Sequence, residues 1–286
     1  MAPELREGTV EANGIEFAFL EAGTGPLALH LHGFPDNAWT WERQLSALAD
    51  AGYRAVAPYL RGYAPTDVPA EGFDLEDVTH DVEALIHALG EDSAFVVGHD
   101  WGAFASMNVS AVHPGSAIRA ISVGVGHPRT AVDIFKSPEQ LHYAFHVWLF
   151  QLEGFAEFAL RENDFALVDY LWSHWSSVDP DPEHLARVKK TFTEPGVVEA
   201  ALSYYRGLVR IPSSKPDFYA QVTQNMTTPM LVIYGGDDPA RALSENEGSF
   251  FDGPYRRELI SGAGHFPHRE APEEFNRVML EWIGSD

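Results

Sequence analysis

Val96-Val97-Gly98-His99-Asp100-Trp101-Gly102-Ala103 is the stretch whose reading decides the fold. An apolar run from Ser93 to Val97 leads into it, and a helix-patterned run from Trp101 to Val112 leads out. Small residues stand two before and two after Asp100, at the junction of a buried strand and a helix. That is the pattern of a nucleophile elbow with aspartate at its tip. Glycines let strand and helix approach closely around a sharp, strained turn. The turn lifts the central side chain above the sheet and aims the next backbone N–H, that of Trp101, at any oxyanion formed there. Aspartate also commonly caps a helix. The flanking Gly98 and Gly102 favour the elbow over the cap.

Working outward, Gly8 to Glu21 alternates around an Asn13-Gly14 turn and reads as a β-hairpin. Leu27–Leu31, Tyr53–Ala57, Ser93–Val97, Ala117–Val125, Met230–Tyr234 and Tyr255–Ile260 read as further strands. Helical patterns cover Trp39–Ala51, Leu75–Leu89, Trp101–Val112, Ala240–Phe251 and Pro272–Ile283. Strands alternating with helices imply βαβ units and a mostly parallel sheet flanked by helices. The rhythm breaks over 127–221, which is helical in pattern and rich in aromatics. The chain therefore reads as an α/β core of residues 1–126 and 222–286, interrupted by a helical cap over 127–221. A helical insert at the carboxyl edge of such a sheet lies over the ligand crevice and excludes water.

Three more segments complete a catalytic set. Ser261-Gly262-Ala263-Gly264-His265-Phe266 puts a histidine in a glycine-rich loop after the last strand. This gives the chain order nucleophile, acid, histidine. Gly235-Gly236-Asp237-Asp238-Pro239 follows the strand ending at Tyr234 and supplies the acid that orients the imidazole. Asp238 is the expected partner, with Asp237 the alternative. His32-Gly33-Phe34-Pro35 follows the Leu27–Leu31 strand, where a second oxyanion N–H belongs; Phe34 would donate it, and His32 is read as structural. A carboxylate is ionised at neutral pH without a base, and it displaces good or strained leaving groups at saturated carbon. The resulting ester carbonyl belongs to the protein, so its hydrolysis needs a base and an oxyanion hole.

Composition narrows the partners. Lys and Arg number 19 against 42 Asp and Glu, a net charge of −23, which argues against nucleic acid and anionic membranes. An apolar share of 45% is ample for a core. The absence of cysteine excludes disulfides and thiol chemistry. MAPELREGTV holds no apolar core of signal-peptide length, and no apolar run approaches the roughly 18 residues of a spanning helix. A cytoplasmic monomer or homodimer acting on a small apolar molecule, with no cofactor or metal, is the expectation.

HGFP at 32–35, RGYAPTD at 61–67, GHDWGA at 98–103, GGDD at 235–238 and GAGH at 262–265 together resemble the epoxide hydrolase and haloalkane dehalogenase branch of the α/β-hydrolases. The likeness spans essentially the whole chain and is most like bacterial epoxide hydrolases. It implies the α/β-hydrolase fold and conversion of an epoxide to a vicinal diol through an aspartyl ester. Epoxide hydrolases of this branch carry two lid residues, usually tyrosines, that donate to the epoxide oxygen. Ser203-Tyr204-Tyr205-Arg206 is similar to the second lid segment and implies Tyr205. In Phe145-His146-Val147-Trp148-Leu149-Phe150-Gln151 the first tyrosine position holds His146, a departure similar to the His–Tyr pair of some bacterial members. Neutral imidazole donates through N–H as phenol does through O–H.

A haloalkane dehalogenase is the alternative the resemblance leaves open. It would use Trp101 with Trp148, Trp172 and Trp175 as halide donors, but Phe34 stands where dehalogenases present Asn or Glu. Trp101, Phe34 and Trp148 are the expected substrate contacts. A fluoroacetate dehalogenase would carry arginines beside the nucleophile, where Trp101 and Phe104 stand. No serine occupies the elbow of a serine esterase. A non-catalytic binder of the same fold would commonly have lost part of the catalytic set.

Overall fold

The computed structural model describes residues 4–130 and 137–285. Positions 131–136 of the expected insertion lie outside the described residues. The strands are β1 (Arg6–Ala12), β2 (Ile15–Gly23), β3 (Leu27–Leu31), β4 (Arg54–Pro58), β5 (Ala94–His99), β6 (Ala117–Val123), β7 (Met230–Gly235) and β8 (Tyr255–Ile260). They form one eight-stranded sheet in the order β1-β2-β4-β3-β5-β6-β7-β8. The β1–β2 and β2–β4 pairs are antiparallel, and every pairing from β4 to β8 is parallel. Asn13 and Gly14 both take positive φ, 48° and 73°, as the tight hairpin between β1 and β2 requires. β3 and β7 are buried along their whole length, which explains their unbroken apolar runs: helices cover both faces of a parallel sheet.

The core helices are α1 (Glu42–Asp50), α2 (Leu75–Ala88) and α3 (Trp101–Val112). α1 packs on β2 and β4, and α2 packs against α3. Six helices follow between β6 and β7: α4 (Pro138–Tyr143), α5 (Phe145–Leu149), α6 (Phe155–Trp175), α7 (Pro182–Thr193), α8 (Val197–Ser214) and α9 (Pro216–Val222). α10 (Pro267–Glu270) and α11 (Pro272–Ile283) close the chain. α6 is interrupted at Glu162–Phe165, where Asn163, Asp164 and Phe165 take φ of 51–58°. Among the described residues no helix is long and apolar enough to cross a membrane.

Two local readings need correction. Trp39 belongs to a short 3-10 turn, Ala38–Trp41, whose N-cap Asn37 accepts from Trp39 N; α1 begins only at Glu42. Ala240–Phe251 is two 3-10 turns, Pro239–Ser244 and Glu247–Phe250, in place of the expected helix. The break falls just before Glu247. There the chain turns at 245–246, and Glu247, which keeps the inward-facing phase of Ala240 and Ser244, buries its carboxylate to accept from His127 N at 2.7 Å, a bond that anchors the second turn separately.

The inserted helices are tied to the core by polar bonds beside the carboxyl ends of the strands. Asn37 Nδ2 donates to Thr191 Oγ1 at 3.1 Å, Trp172 Nε1 to Pro35 O at 2.8 Å, and Tyr204 Oη to Arg61 O at 2.9 Å. Arg61 grips Asp81 of α2 through two 2.5 Å bonds and also donates to Gly72 O. Both charged side chains are buried, 6% and 4% exposed, so neither is solvated without the other. Removing one partner of such a pair leaves an uncompensated buried charge. Arg61→Met is therefore expected to destabilise the fold by about 3–5 kcal/mol in urea unfolding. A loss below about 1 kcal/mol would show that Asp81 finds compensation elsewhere.

Candidate active site

The parallel strands end at one edge, and the expected residues gather there. β3 leads to Phe34, β5 to Asp100, β7 to Asp238 and β8 to His265. β3 and β5 are neighbours from which the chain runs in opposite directions across the sheet, so the crevice opens between their ends.

Asp100 sits at φ 51°, ψ −111°, a conformation L-residues rarely adopt. Close packing on both sides holds it there. A Cβ on Gly98 would fall 1.8 Å from Gly102 O, and one on Gly102 would fall 2.1 Å from Leu31 O. The Asp100 side chain makes no capping bond to α3, so the helix-cap reading does not describe it. Oδ1 instead accepts from Phe34 N at 2.8 Å, and Oδ2 lies 3.9 Å from His265 Nε2. That distance suits ion pairing and is too long for a hydrogen bond. The Trp101 N–H, at the first position of α3, lies outside the intrahelical ladder.

His265 Nδ1 donates to Asp238 Oδ2 at 3.1 Å. Asp238 is fully buried and its Oδ1 accepts from Ala240 N at 2.8 Å, while Asp237 is exposed. The geometry therefore brings Asp238, and not Asp237, to the imidazole. Burial opposes the charged ring of His265, but the carboxylates of Asp100 and Asp238 outweigh it and raise its pKa to about 10. The loop around it is fixed from several sides. His265 N donates to Trp175 O at 2.8 Å, His99 Nε2 meets His265 O at 2.9 Å, and both Glu270 oxygens accept loop N–H groups from Gly264 and Phe266. His32 behaves as a structural residue: its Nε2 accepts from Leu60 N at 3.0 Å, and burial lowers its pKa to about 4.

A model of the alpha/beta hydrolase family matches residues 28–278. The chain belongs to the alpha/beta hydrolase family. It is 30% identical to the AB hydrolase superfamily protein YfhM of Bacillus subtilis, over 96% of both chains. It is also 30% identical to Epoxide hydrolase A of Mycobacterium tuberculosis, over 97% of both. The crystal structure of Epoxide Hydrolase A from Mycobacterium thermoresistibile matches it with a TM-score of 0.84 at 27% identity, covering 98% of each chain. The family resemblance read from the motifs holds.

In this alpha/beta hydrolase side chains of the helices between β6 and β7 reach the same place. A cavity of about 310 Å³ is lined by Asp100, Trp101, His265, Tyr205, His146 and Trp148, among others. Tyr205 is buried with its Oη unpartnered among the described residues, and burial, then the Asp100 charge, pushes its pKa well up. It therefore stays a phenol. His146 lies edge-on to Tyr205 at 5.3 Å, its Nδ1 unpartnered. Burial first, then repulsion from His265 and His174, lowers its pKa to about 3, so its ring is neutral.

The expected tryptophans divide. Trp101 and Trp175 line the cavity with buried, unpartnered indole N–H groups, whereas Trp172 spends its N–H on Pro35 O and stacks on Phe266 at 3.6 Å. Trp148 is 44% exposed at the rim. Phe34 differs from its expected role as a substrate contact. Its ring is fully buried edge-on to Tyr205, Phe150 and Phe192, so only its N–H faces Asp100. Tyr143, Asn108 and Gln140 also line the cavity and went unnoticed in the sequence. Asn108 lies on α3 four residues after Phe104, a helical-face spacing, whereas Tyr143 ends α4 and His146 belongs to α5, so no single helical period links those two.

Among the described residues two groups carry ligand atoms within 4.8 Å of one another: buried Asp36, His99 and His268 behind His265, and half-buried His80, Glu83 and His113 on the surface. The second group is internally paired, His113 to Glu83 at 2.9 Å and His80 to His113 at 3.0 Å.

The raised pKa of His265 has a measurable consequence. A histidine in the unfolded chain titrates near 6.5, so this proton stabilises the fold fully below that pH and ceases to as pH rises through about 10. Denaturant midpoints at pH 7 and pH 10 are expected to differ more in the wild type than in His265→Gln. An NMR titration should show His265 imidazolium persisting past pH 8. Titration of that ring near pH 6.5 would contradict the assignment.

Proposed function

We propose that this hydrolase opens epoxides to vicinal diols, with Asp100 as the covalent nucleophile. The observation that carries the proposal is the Asp100 carboxylate, held by Phe34 N–H on one oxygen and facing His265 with the other, beneath the unpartnered Tyr205 hydroxyl. Relatives over nearly the whole chain bear the name epoxide hydrolase. Residues 127–221 act as the cap over the core of 1–126 and 222–286, bringing Tyr205 and His146 onto the crevice. The cap's aromatic wall favours an apolar substrate.

Asp100 Oδ2 attacks one ring carbon from behind, and the carbon–oxygen bond breaks. Tyr205 Oη–H and the neutral His146 ring donate to the leaving oxygen, which takes a proton as it becomes the hydroxyl. Esterification removes the Asp100 charge. One of the two carboxylates that kept His265 protonated is thereby lost while burial still works against the cation, so the ring gives up its proton, which replaces the one the lid donor passed to the leaving oxygen, and is free to act as a base. Oriented by Asp238, it draws a proton from water attacking the Asp100 carbonyl carbon. Phe34 N–H, already on Oδ1, and Trp101 N–H hold the oxyanion. Collapse passes that proton to the departing alkoxide and releases the diol, and the carboxylic acid left on Asp100 gives its own proton to His265, which restores the carboxylate facing a protonated ring.

The two unpartnered indole N–H groups of Trp101 and Trp175 support a second reading, halide abstraction from a haloalkane by the same aspartate. The lid donors favour the epoxide, because a halide leaving group needs no proton. Assays of diol from styrene oxide and of halide from haloalkanes separate the two. Asp100→Ala should lower kcat/KM by about 10⁴-fold or more. His265→Gln should accumulate the ester, read by intact-protein mass spectrometry as a gain of one substrate mass. Turnover surviving in Asp100→Ala, or no adduct in His265→Gln with activity lost, would overturn the scheme.

A further inference from the structure

Phe104 and Asn108 stand on α3, four and eight residues beyond its N-cap Asp100, and all three line the cavity. At about 1.5 Å rise per residue, Asn108 lies roughly 12 Å along the helix from Asp100. Asn108 is buried, 1% exposed, and neither its Oδ1 nor its Nδ2 has a hydrogen-bond partner among the described residues. The buried Asn37 differs: its Oδ1 accepts from Trp39 N and its Nδ2 donates to Thr191. Leaving a buried amide unpaired costs about 1–3 kcal/mol per group, and leucine, of similar size, would avoid that cost. Gln140 sets a second polar atom in the same wall. Its Nε2 is tied to Pro239 O at 2.8 Å, which leaves Oε1 buried and unpartnered. Around these, Leu75, Phe104, Val125, Ile211, Phe218 and Val222 make the wall apolar.

We propose that Asn108 is a recognition site for a neutral hydrogen-bonding group, a hydroxyl above all, at the end of the substrate remote from the epoxide. This rests on the proposed function, which places the epoxide at Asp100. The amide offers one donor side and one acceptor side, and a hydroxyl satisfies both. A carboxylate only accepts, and among the described residues none of those lining the cavity is Lys or Arg to pair its charge. The substrate class is thus an extended epoxide whose middle is hydrocarbon and whose far end carries a hydroxyl about 12 Å from the ring.

Straight-chain terminal epoxides of graded length, ending in methyl, hydroxyl or carboxylate, test this. Apolar burial alone favours the methyl ends at every length. The expected result is that hydroxyl-ended chains overtake methyl-ended ones in kcat/KM by about tenfold at the length that reaches Asn108. The carboxylate-ended chains should be the slowest. In Asn108→Leu that hydroxyl-to-methyl ratio should fall at least as far, with Asn108→Ala as the second variant should leucine disturb folding. Methyl preference at all lengths in the wild type, or an undiminished ratio in a folded variant, would overturn the proposal. Styrene oxide, too short to reach Asn108, reports the proposed function independently. If no epoxide is converted, binding of the corresponding diols, followed through tryptophan fluorescence, still decides it. Tighter binding of the hydroxyl-ended diol that is lost in Asn108→Leu supports the site, and equal binding overturns it.

Discussion

The rest of the site depends on one constraint, the strained turn at Asp100. A residue at φ 51°, ψ −111° stays there only because its surroundings leave no alternative. Gly98 and Gly102 let β5, α3 and β3 meet at distances no side chain permits. The carboxylate that this turn holds up then meets Phe34 N–H from the loop after β3, and His265 from the loop after β8. Loops from opposite halves of the sheet are thus read out by one side chain.

Electrostatics gives the assembly its direction. Three ionisable groups, Asp100, His265 and Asp238, lie in a nearly dry place, and burial alone would neutralise the imidazole. Two carboxylates on one ring reverse that, raising its pKa to about 10. The proposed chemistry uses the imbalance, because removing one negative charge as an ester changes what the ring can do. The lid groups are set oppositely. Burial keeps Tyr205 protonated and His146 neutral, so both reach the cavity as donors without charge.

The inserted helices contribute burial as much as side chains. Their polar ties to Pro35 O, Asn37 and Arg61 O all lie next to the carboxyl ends of β3 and β4, so the inserted helices are fastened beside the strand ends that carry Phe34 and Asp100. Trp175 shows the economy of this arrangement: its carbonyl fixes His265 while its ring lies 5.5 Å from the imidazole and lines the cavity.

The sequence by itself determined the order of strands, the elbow at Asp100 and the loop positions of Phe34, Asp238 and His265. These are local patterns: apolar runs of strand length, glycines where backbones must touch, acids and histidines at strand ends. It also marked 127–221 as a helical insertion, and among the described residues α4 to α9 fill Pro138–Val222. Only the tertiary structure decided what depends on distance across the chain. It chose Asp238 over the adjacent Asp237, because only one of the two side chains faces the loop after β8. It split Ala240–Phe251 into two short turns and bound Glu247 of the second to His127, more than a hundred positions away in the chain. It withdrew the Phe34 ring from the cavity and spent the Trp172 N–H on Pro35 O. It also left the Asn108 amide without a partner among the described residues, in a mostly apolar wall. No local pattern encodes such pairings, since whether a buried polar atom is satisfied is settled by what the rest of the fold brings within about 3 Å of it.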